Sequence, residues 1–275
     1  MASLAMAADA FKGCFRNWWL WLIQFLANPL LFCLFTAWLL IPVANAWHLV
    51  LNILLASFLL SAALVLQAGT LNYFYSQNRN EGAHLRDAFA RALRNLFAVA
   101  VCAAVLYLLW ILVGKVDAYK ETLPAYVRSI LPVFLRRHIG LPVFQGIFDA
   151  IVFALRWILA PGLVLPLLAS ASRFGFRGLR RQGLTAWKKT VFSLSYWATV
   201  VLAALLGVLA TEKIMVWTPD FRTSSLAVET ASVSIRALVS YLLGLCAWML
   251  ICSVVGRQAR TFGEVADDLG GQSVA

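Results

Sequence analysis

Acidic side chains are scarce in this chain of 275 residues. Asp and Glu number 12 against 23 Lys and Arg, and none lies between Asp149 and Glu212. Charge of either sign is short: charged residues make up 13%, where a soluble globular chain carries about 25%. Too few polar side chains remain to wet a surface, which excludes an ordinary water-soluble domain. Histidine is reduced to His48, His84 and His138, with no H-E-x-x-H or H-x-x-x-H pair. The five cysteines, Cys14, Cys33, Cys102, Cys246 and Cys252, form no C-x-x-C, and four sit inside apolar runs. They read as small buried hydrophobes, so neither a disulfide framework nor a metal site is expected. No phosphate-binding loop, G-x-S-x-G elbow or strand-led glycine fingerprint occurs. No nucleophile–base pair can be nominated, so no catalytic residue, cofactor or metal is assigned and no enzymatic activity is expected.

What the sequence has instead is apolar length, with hydrophobic residues at 62%. About 20 apolar residues cross the hydrocarbon core as a helix. Six stretches qualify: roughly Trp18 to Pro42, His48 to Tyr73, Leu96 to Val113, Val143 to Ala171, Val191 to Ala210 and Ser234 to Val255. The expected fold is all-α: one polytopic membrane domain of six transmembrane helices with short amphipathic interfacial helices. The first two spans are joined by "VANAW" and should form a tight hairpin. The N-terminus lacks a basic n-region before a short apolar segment, so the first run reads as a retained span.

The basic residues then orient the chain. One side receives Lys12, Arg16, Arg79, Arg86, Arg91, Arg94, Arg173, Arg177, Arg180, Arg181, Lys188, Lys189, Arg257 and Arg260; the other receives Lys115, Lys120, Arg128, Arg136, Arg137, Lys213 and Arg222. Fourteen against seven predicts both termini in the cytoplasm by the positive-inside rule. The stretch "SRFGFRGLRRQGLTAWKK", Ser172 to Lys189, holds six of them and no acid. Its aromatic and basic mixture would suit RNA in a soluble protein. The flanking spans and the lack of any alternating strand pattern favour a lipid surface instead, and nucleic acid is not expected as a partner. Anionic headgroups attract such clusters by about 1 kcal/mol per basic residue. Arg86, Arg91, Arg94, Arg173, Arg177, Arg180, Arg181, Lys188 and Lys189 are the candidate headgroup contacts.

Two of these segments read as helices lying in the interface. In "NEGAHLRDAFARALRNL", Leu85, Ala88, Phe89, Ala92 and Leu93 share a face, and Asp87 and Arg91 are spaced for an ion pair. In the second, Phe176, Leu179, Gly183, Ala186 and Trp187 could do the same, weakened by three glycines. The segments align at an offset of 94 (Leu85 with Leu179, Arg86 with Arg180, Ala92 with Ala186). A two-span unit stacked up to three times is the simplest repeat. In the long connection Lys115 to Gly140, Ile130, Val133, Phe134 and Ile139 against Arg128, Arg136 and Arg137 favour a further interfacial helix.

"AFKGCFRNWWLWLIQFLANPLLFCLF" followed by "YFYSQNRNEGAHLRDAFARALRNLFAVAV" resembles a group of bacterial six-helix membrane proteins similar to the membrane domain of some glycerophosphoryl diester phosphodiesterases. Gly82, Leu85, Ala88, Ala92 and Arg94 fit the G-x-x-L-x-x-A-x-x-x-A-x-R piece of that pattern. The soluble phosphodiesterase domain is absent, so its activity does not carry over. The resemblance implies an accessory or scaffold-like domain in the bacterial inner membrane.

Polar residues within spans are the remaining suspects. Asp149 and Arg156 either sit at the outer edge of the fourth span, the arginine snorkelling to headgroups, or form a charge pair lining a polar cavity. Pro161 and Pro166 with Gly162 break the same span, and Pro29 kinks the first. Such breaks build solute sites in transporters and are also ordinary where neighbours re-satisfy the freed carbonyls. Gln24, Asn28, Asn52 and Gln67 are expected to bond across helices. Ser240/Gly244 and Ala203/Gly207 are small pairs that let helices approach. Two functions follow: a non-enzymatic scaffold, accessory or subunit of a membrane assembly, with a membrane-protein partner or a second copy; or a permease for a small solute or lipid using the kinked fourth span.

Overall fold

The computed structural model describes residues 13–15, 17–42, 45–78, 84–179, 184–218 and 226–271, all but their turns helical; of these, the side chains at 77–78, 135, 177–178, 184–186 and 257–271 are not described. No strand occurs among the described residues. Lys12, Arg16, Arg79, Arg180, Arg181, Arg222, Gly82 and Gly183 lie outside them, as do the side chains of Arg177, Ala186, Arg257 and Arg260.

Six helices are long and apolar enough to cross a membrane: Trp18–Leu39, Ala46–Ser76, Leu96–Asp117, Leu141–Phe176, Leu194–Val216 and Leu226–Gly256, hereafter spans one to six. The chain is a multi-pass all-α membrane bundle. Helices outrun the apolar runs at both ends. Span two continues as helix to Asn78 and span six starts at Leu226, eight residues before its apolar run. The extra turns at the end of span two are held by protein rather than lipid: Tyr73, Phe74, Tyr75 and Ser76 are all buried.

The ends of the spans differ sharply. We call the end that holds the start of span one and the end of span six the basic end, and the opposite one the far end. Among the described residues, the buried side chains of the spans crowd into their basic-end halves, with Leu59 and Val152 the exceptions. Here Phe74, Tyr196, Met249, Leu20 and Leu71 are nearly inaccessible. Span six meets span two so closely that a Cβ on Gly256 would lie 2.8 Å from the Phe74 carbonyl carbon. Only a glycine permits that backbone approach.

Consecutive spans pair as three hairpins, and each is clasped by polar side chains in its far half. Trp38 Nε1 donates to the Asn52 carbonyl (3.1 Å) in the first. The Arg156 guanidinium lies 3.8 Å from the Trp110 ring centroid in the second. In the third, Arg236 donates to the terminal carbonyls of span five at Met215 (3.2 Å) and Trp217. Side-chain bonds between different hairpins occur at the basic end and at mid-depth instead. The six spans thus form three clasped pairs joined at one end. The Gly207 seam is intramolecular, since its Cβ would meet Ala247 Cβ at 2.9 Å, whereas at Gly244 nothing lies within 4 Å.

Two basic helices precede spans. Leu85–Arg94 leads through Asn95 into span three, and Leu184–Val191 leads through Ser193 into span five. The first packs on span two through Ala88 and Ala92, with Phe89 over Gly69, while Arg86, Arg91 and Arg94 stay exposed. Leu93, expected on the packed face, is exposed. Among the described residues Asp87 and Arg91 form no ion pair, both pointing into open surface. The far-end connection holds two short helices, Thr122–Ile130 and Val133–His138, rather than one. Leu131 is extended (ψ 147°) because it precedes Pro132, whose ring disfavours a helical neighbour.

Candidate functional site

Proline decides where polar side chains are needed within the spans. A proline inside a helix lacks the N–H that would bond the carbonyl four residues earlier. Pro29 thereby frees the Phe25 carbonyl, and Pro166 frees that of Gly162. Both are answered by a tyrosine from another span: Tyr241 Oη donates to the Phe25 carbonyl at 3.0 Å and the Gln24 carbonyl at 3.1 Å, and Tyr196 Oη donates to the Gly162 carbonyl at 2.6 Å. Each proline break is therefore also a tie between hairpins. Trp187 Nε1 adds a bond to the Leu163 carbonyl, 2.8 Å. The indole of Trp197 packs against Gly162 so closely that a Cβ there would stand 2.5 Å from the ring. The fourth-span break is filled by aromatic side chains. Pro161 opens a fresh helix directly after a π-turn, Ala154–Leu159, a wider turn that relieves the ring clash.

The first break is different. Gln24 is fully buried and donates to Thr70 Oγ1 (2.5 Å). Asn28 Nδ2 donates to Gln24 Oε1 (2.7 Å), and Gln67 Nε2 donates to Asn28 Oδ1 (2.9 Å). Asn28 lies ten residues into span one, about 15 Å along the axis, halfway through a hydrocarbon core of about 30 Å. Beside it a cavity of about 340 Å³ is lined by Asn28, Gln67, Tyr241, Gly244, Leu245 and Trp248. Two side-chain atoms of these residues, Gln67 Oε1 and Trp248 Nε1, are enclosed by protein without a hydrogen-bond partner. Three of the four polar residues expected to bond across helices, Gln24, Asn28 and Gln67, do so here; Asn52 contributes only its carbonyl. Thr70, Tyr241 and Trp248 were not singled out by sequence. The signal available was each mid-span proline, which requires a donor on another helix, and Tyr196 and Tyr241 are hydroxyls placed in apolar spans.

A second polar cluster ties the basic end. Asn72 is 2% exposed; its Nδ2 donates to the Ser172 carbonyl (3.2 Å) and its Oδ1 accepts from Ser172 Oγ (3.0 Å). Asn95 Nδ2 donates to the Ser172 and Arg173 carbonyls at 2.9 and 3.1 Å. Gly175 turns the chain here with φ 63°, and a Cβ on it would stand 2.9 Å from Asn95 Oδ1. Arg173 donates to Ser76 Oγ (3.3 Å) and lies over the Tyr75 ring at 3.9 Å. The sequence assigns Arg173 to headgroups; the structure directs its guanidinium onto span two. Lys188 and Lys189 are exposed.

Asp149 and Arg156 are not brought together. Asp149 is exposed, and the offset of seven residues, with the π-turn, rotates Arg156 toward the Trp110 face of span three. The stem of Arg156 is half-buried and its Nε has no hydrogen-bond partner, so the ring face is what compensates the charge. Arg156 stands 17 residues from Arg173, about 25 Å along a helix, which places it near the far rim of the hydrocarbon layer.

Outside the spans, Cys14 packs into the basic-end core, and burial, with the Cys246 thiol beside it, pushes its thiol up to about 12. Among the described residues no group of three or more His, Cys, Asp or Glu could hold a metal ion. The chain matches no family model, no curated protein and no solved structure.

Proposed function

We propose that the chain is a non-enzymatic scaffold, accessory or subunit of a membrane assembly, set in the bacterial inner membrane with both termini cytoplasmic. The observation that carries this reading is the burial pattern: three hairpins bound together at the basic end and largely unpacked against one another toward the far end. Large apolar side chains such as Phe32, Leu54, Leu60, Leu108 and Leu209 are exposed there. Helices without protein neighbours in lipid associate through packing and a few polar contacts, and this surface offers both a second copy and another membrane protein long apolar flanks. The resemblance to a membrane domain that accompanies a separate soluble domain supports the same reading. The exposed Arg86, Arg91, Arg94, Lys188 and Lys189 suit anionic headgroups on the cytoplasmic side, worth about 1 kcal/mol each.

A permease working through the kinked fourth span finds less support. Trp197, Tyr196 and Trp187 occupy the space beside Gly162 and Leu163. Photo-crosslinking residues at Leu54 and Leu209 in native membranes test the assembly reading. Discrete adducts with a protein, including a second copy, are expected; lipid adducts alone from both positions would overturn it.

A further inference from the structure

Arg156 is a cation inside a span that no acid among the described residues answers. It makes no hydrogen bond or ion pair with any of them. The nearest acid in sequence, Asp149, is exposed and stands about 10 Å farther out along the helix. Two indoles hold the charge instead: the guanidinium carbon lies 3.8 Å from the Trp110 ring centroid and 5.9 Å from that of Trp157. The π-turn Ala154–Leu159 carries both Arg156 and Trp157, and such turns recur at functional sites. A ring over a guanidinium takes up its face, whereas the N–H groups point outward in the plane of the group. Nε is enclosed; the two terminal nitrogens are not, and they have no partner. What Arg156 lacks is therefore an acceptor at the edge of its guanidinium, and an ionisable group left in this way within a span is a functional suspect.

We propose that Trp110, Arg156 and Trp157 form a binding site for the phosphodiester of a glycerophospholipid in the leaflet at the far end. Depth selects the class of ligand. Asn95 holds the Arg173 carbonyl at the start of span three. Arg156 lies about 25 Å beyond that level, about 5 Å short of the far edge of a hydrocarbon core of about 30 Å. The remaining distance is one that an arginine stem and local thinning of the bilayer bridge, and indoles collect at this level too. Charge and shape select the phosphate: the guanidinium fork matches two phosphate oxygens, and a charge-assisted pair is stronger than a neutral hydrogen bond. The surroundings select a lipid as its carrier. Trp110 and Trp157 are exposed, and so are Tyr107 and Leu159, one turn deeper on spans three and four. Acyl chains can lie along this apolar flank while the head is held above it. The inference does not depend on the assembly reading, because a fixed lipid can serve a scaffold as well as any other membrane protein.

The full-length protein in dodecyl maltoside provides the test, with a phosphatidylglycerol that carries a photoactivatable diazirine on its acyl chain near the head. Peptide mapping should find adducts around Tyr107 and Leu159. Unlabelled phosphatidylglycerol should displace them, and neither inorganic phosphate nor diacylglycerol should do so. Arg156→Gln should weaken labelling at these positions about tenfold, the loss of a charge-assisted hydrogen bond. Adducts at the basic end, near Arg86 and Arg91, should be unchanged in that variant, which separates loss of the site from loss of the fold. Should Arg156→Gln not fold, the competitors decide on the wild type alone. Equal labelling around Leu159 in the folded variant and the wild type overturns the proposal. So does displacement by inorganic phosphate, which would make the ligand a free anion, or by diacylglycerol, which would make the contact one of acyl chains only. A wild type without adducts around Tyr107 and Leu159 also overturns it, and leaves the arginine to a carboxylate on a neighbouring chain.

Discussion

At the residue scale, a backbone vacancy governs what each tyrosine is for. Tyr196 exists at its position to serve the Gly162 carbonyl that Pro166 abandons. Removing the hydroxyl leaves that carbonyl without its partner, a loss of about 1 kcal/mol. Tyr196→Phe should therefore lower the thermal midpoint in detergent. In a Pro166→Ala background the helix supplies its own N–H, and the same substitution should cost much less. A double-mutant cycle with zero coupling would refute the account. Cys14 gives a pH-dependent expectation. Its thiol is raised from 9.0 to about 12 by burial first and by Cys246 second. Near pH 8 the thiolate fraction is then about one in ten thousand, so iodoacetamide should modify Cys14 only after unfolding. The sign follows from the raised value. The stabilising contribution is whole below pH 9, where both states hold the proton. It is lost as pH climbs from 9 toward 12, because the unfolded chain ionises first. Alkylation followed by mass spectrometry from pH 7 to 10 checks the first part.

Elements were legible in the sequence where composition speaks and obscure where packing does. The six spans follow from apolar run lengths, and the Leu85–Arg94 helix from its period. Their ends were read short, because Tyr73 to Ser76 look polar or amphipathic yet are covered by spans four and six. The Asp149–Arg156 pairing was drawn on an ideal helix; the π-turn before Pro161 changes the angular count, and Trp110 supplies a partner from 46 residues away in sequence. The mid-depth network was half legible: Gln24, Asn28 and Gln67 stand out in apolar runs, whereas Tyr241 and Trp248 look like ordinary aromatic filling until Pro29 is placed opposite them. Close approach is likewise invisible from glycine alone. Gly256 touches the backbone of Phe74, and Gly114 touches nothing. Gly256→Ala should cost about 1–3 kcal/mol by overpacking, and Gly114→Ala should be neutral or slightly stabilising, measured by thermal unfolding in the same detergent.

For the whole molecule, orientation is the first quantity to test. Cysteines introduced at Lys120 and near the C-terminus in a chain with its own cysteines replaced should differ on intact cells. An impermeant maleimide should reach the first and miss the second. The reverse result would invert the arrangement, and extraction of the protein by alkaline carbonate would remove the membrane assignment altogether.

Close contact along one rim, with ties no further than mid-depth, leaves the far halves of the clasped pairs held to one another chiefly by lipid. The Gly256–Phe74 crossing is then a fulcrum, and the opposite tips are lever ends whose spread is set by how hard the surrounding acyl chains press sideways. Spin labels on the tips of the first and third pairs should report a wider gap in bilayers of low lateral pressure than in tightly ordered ones.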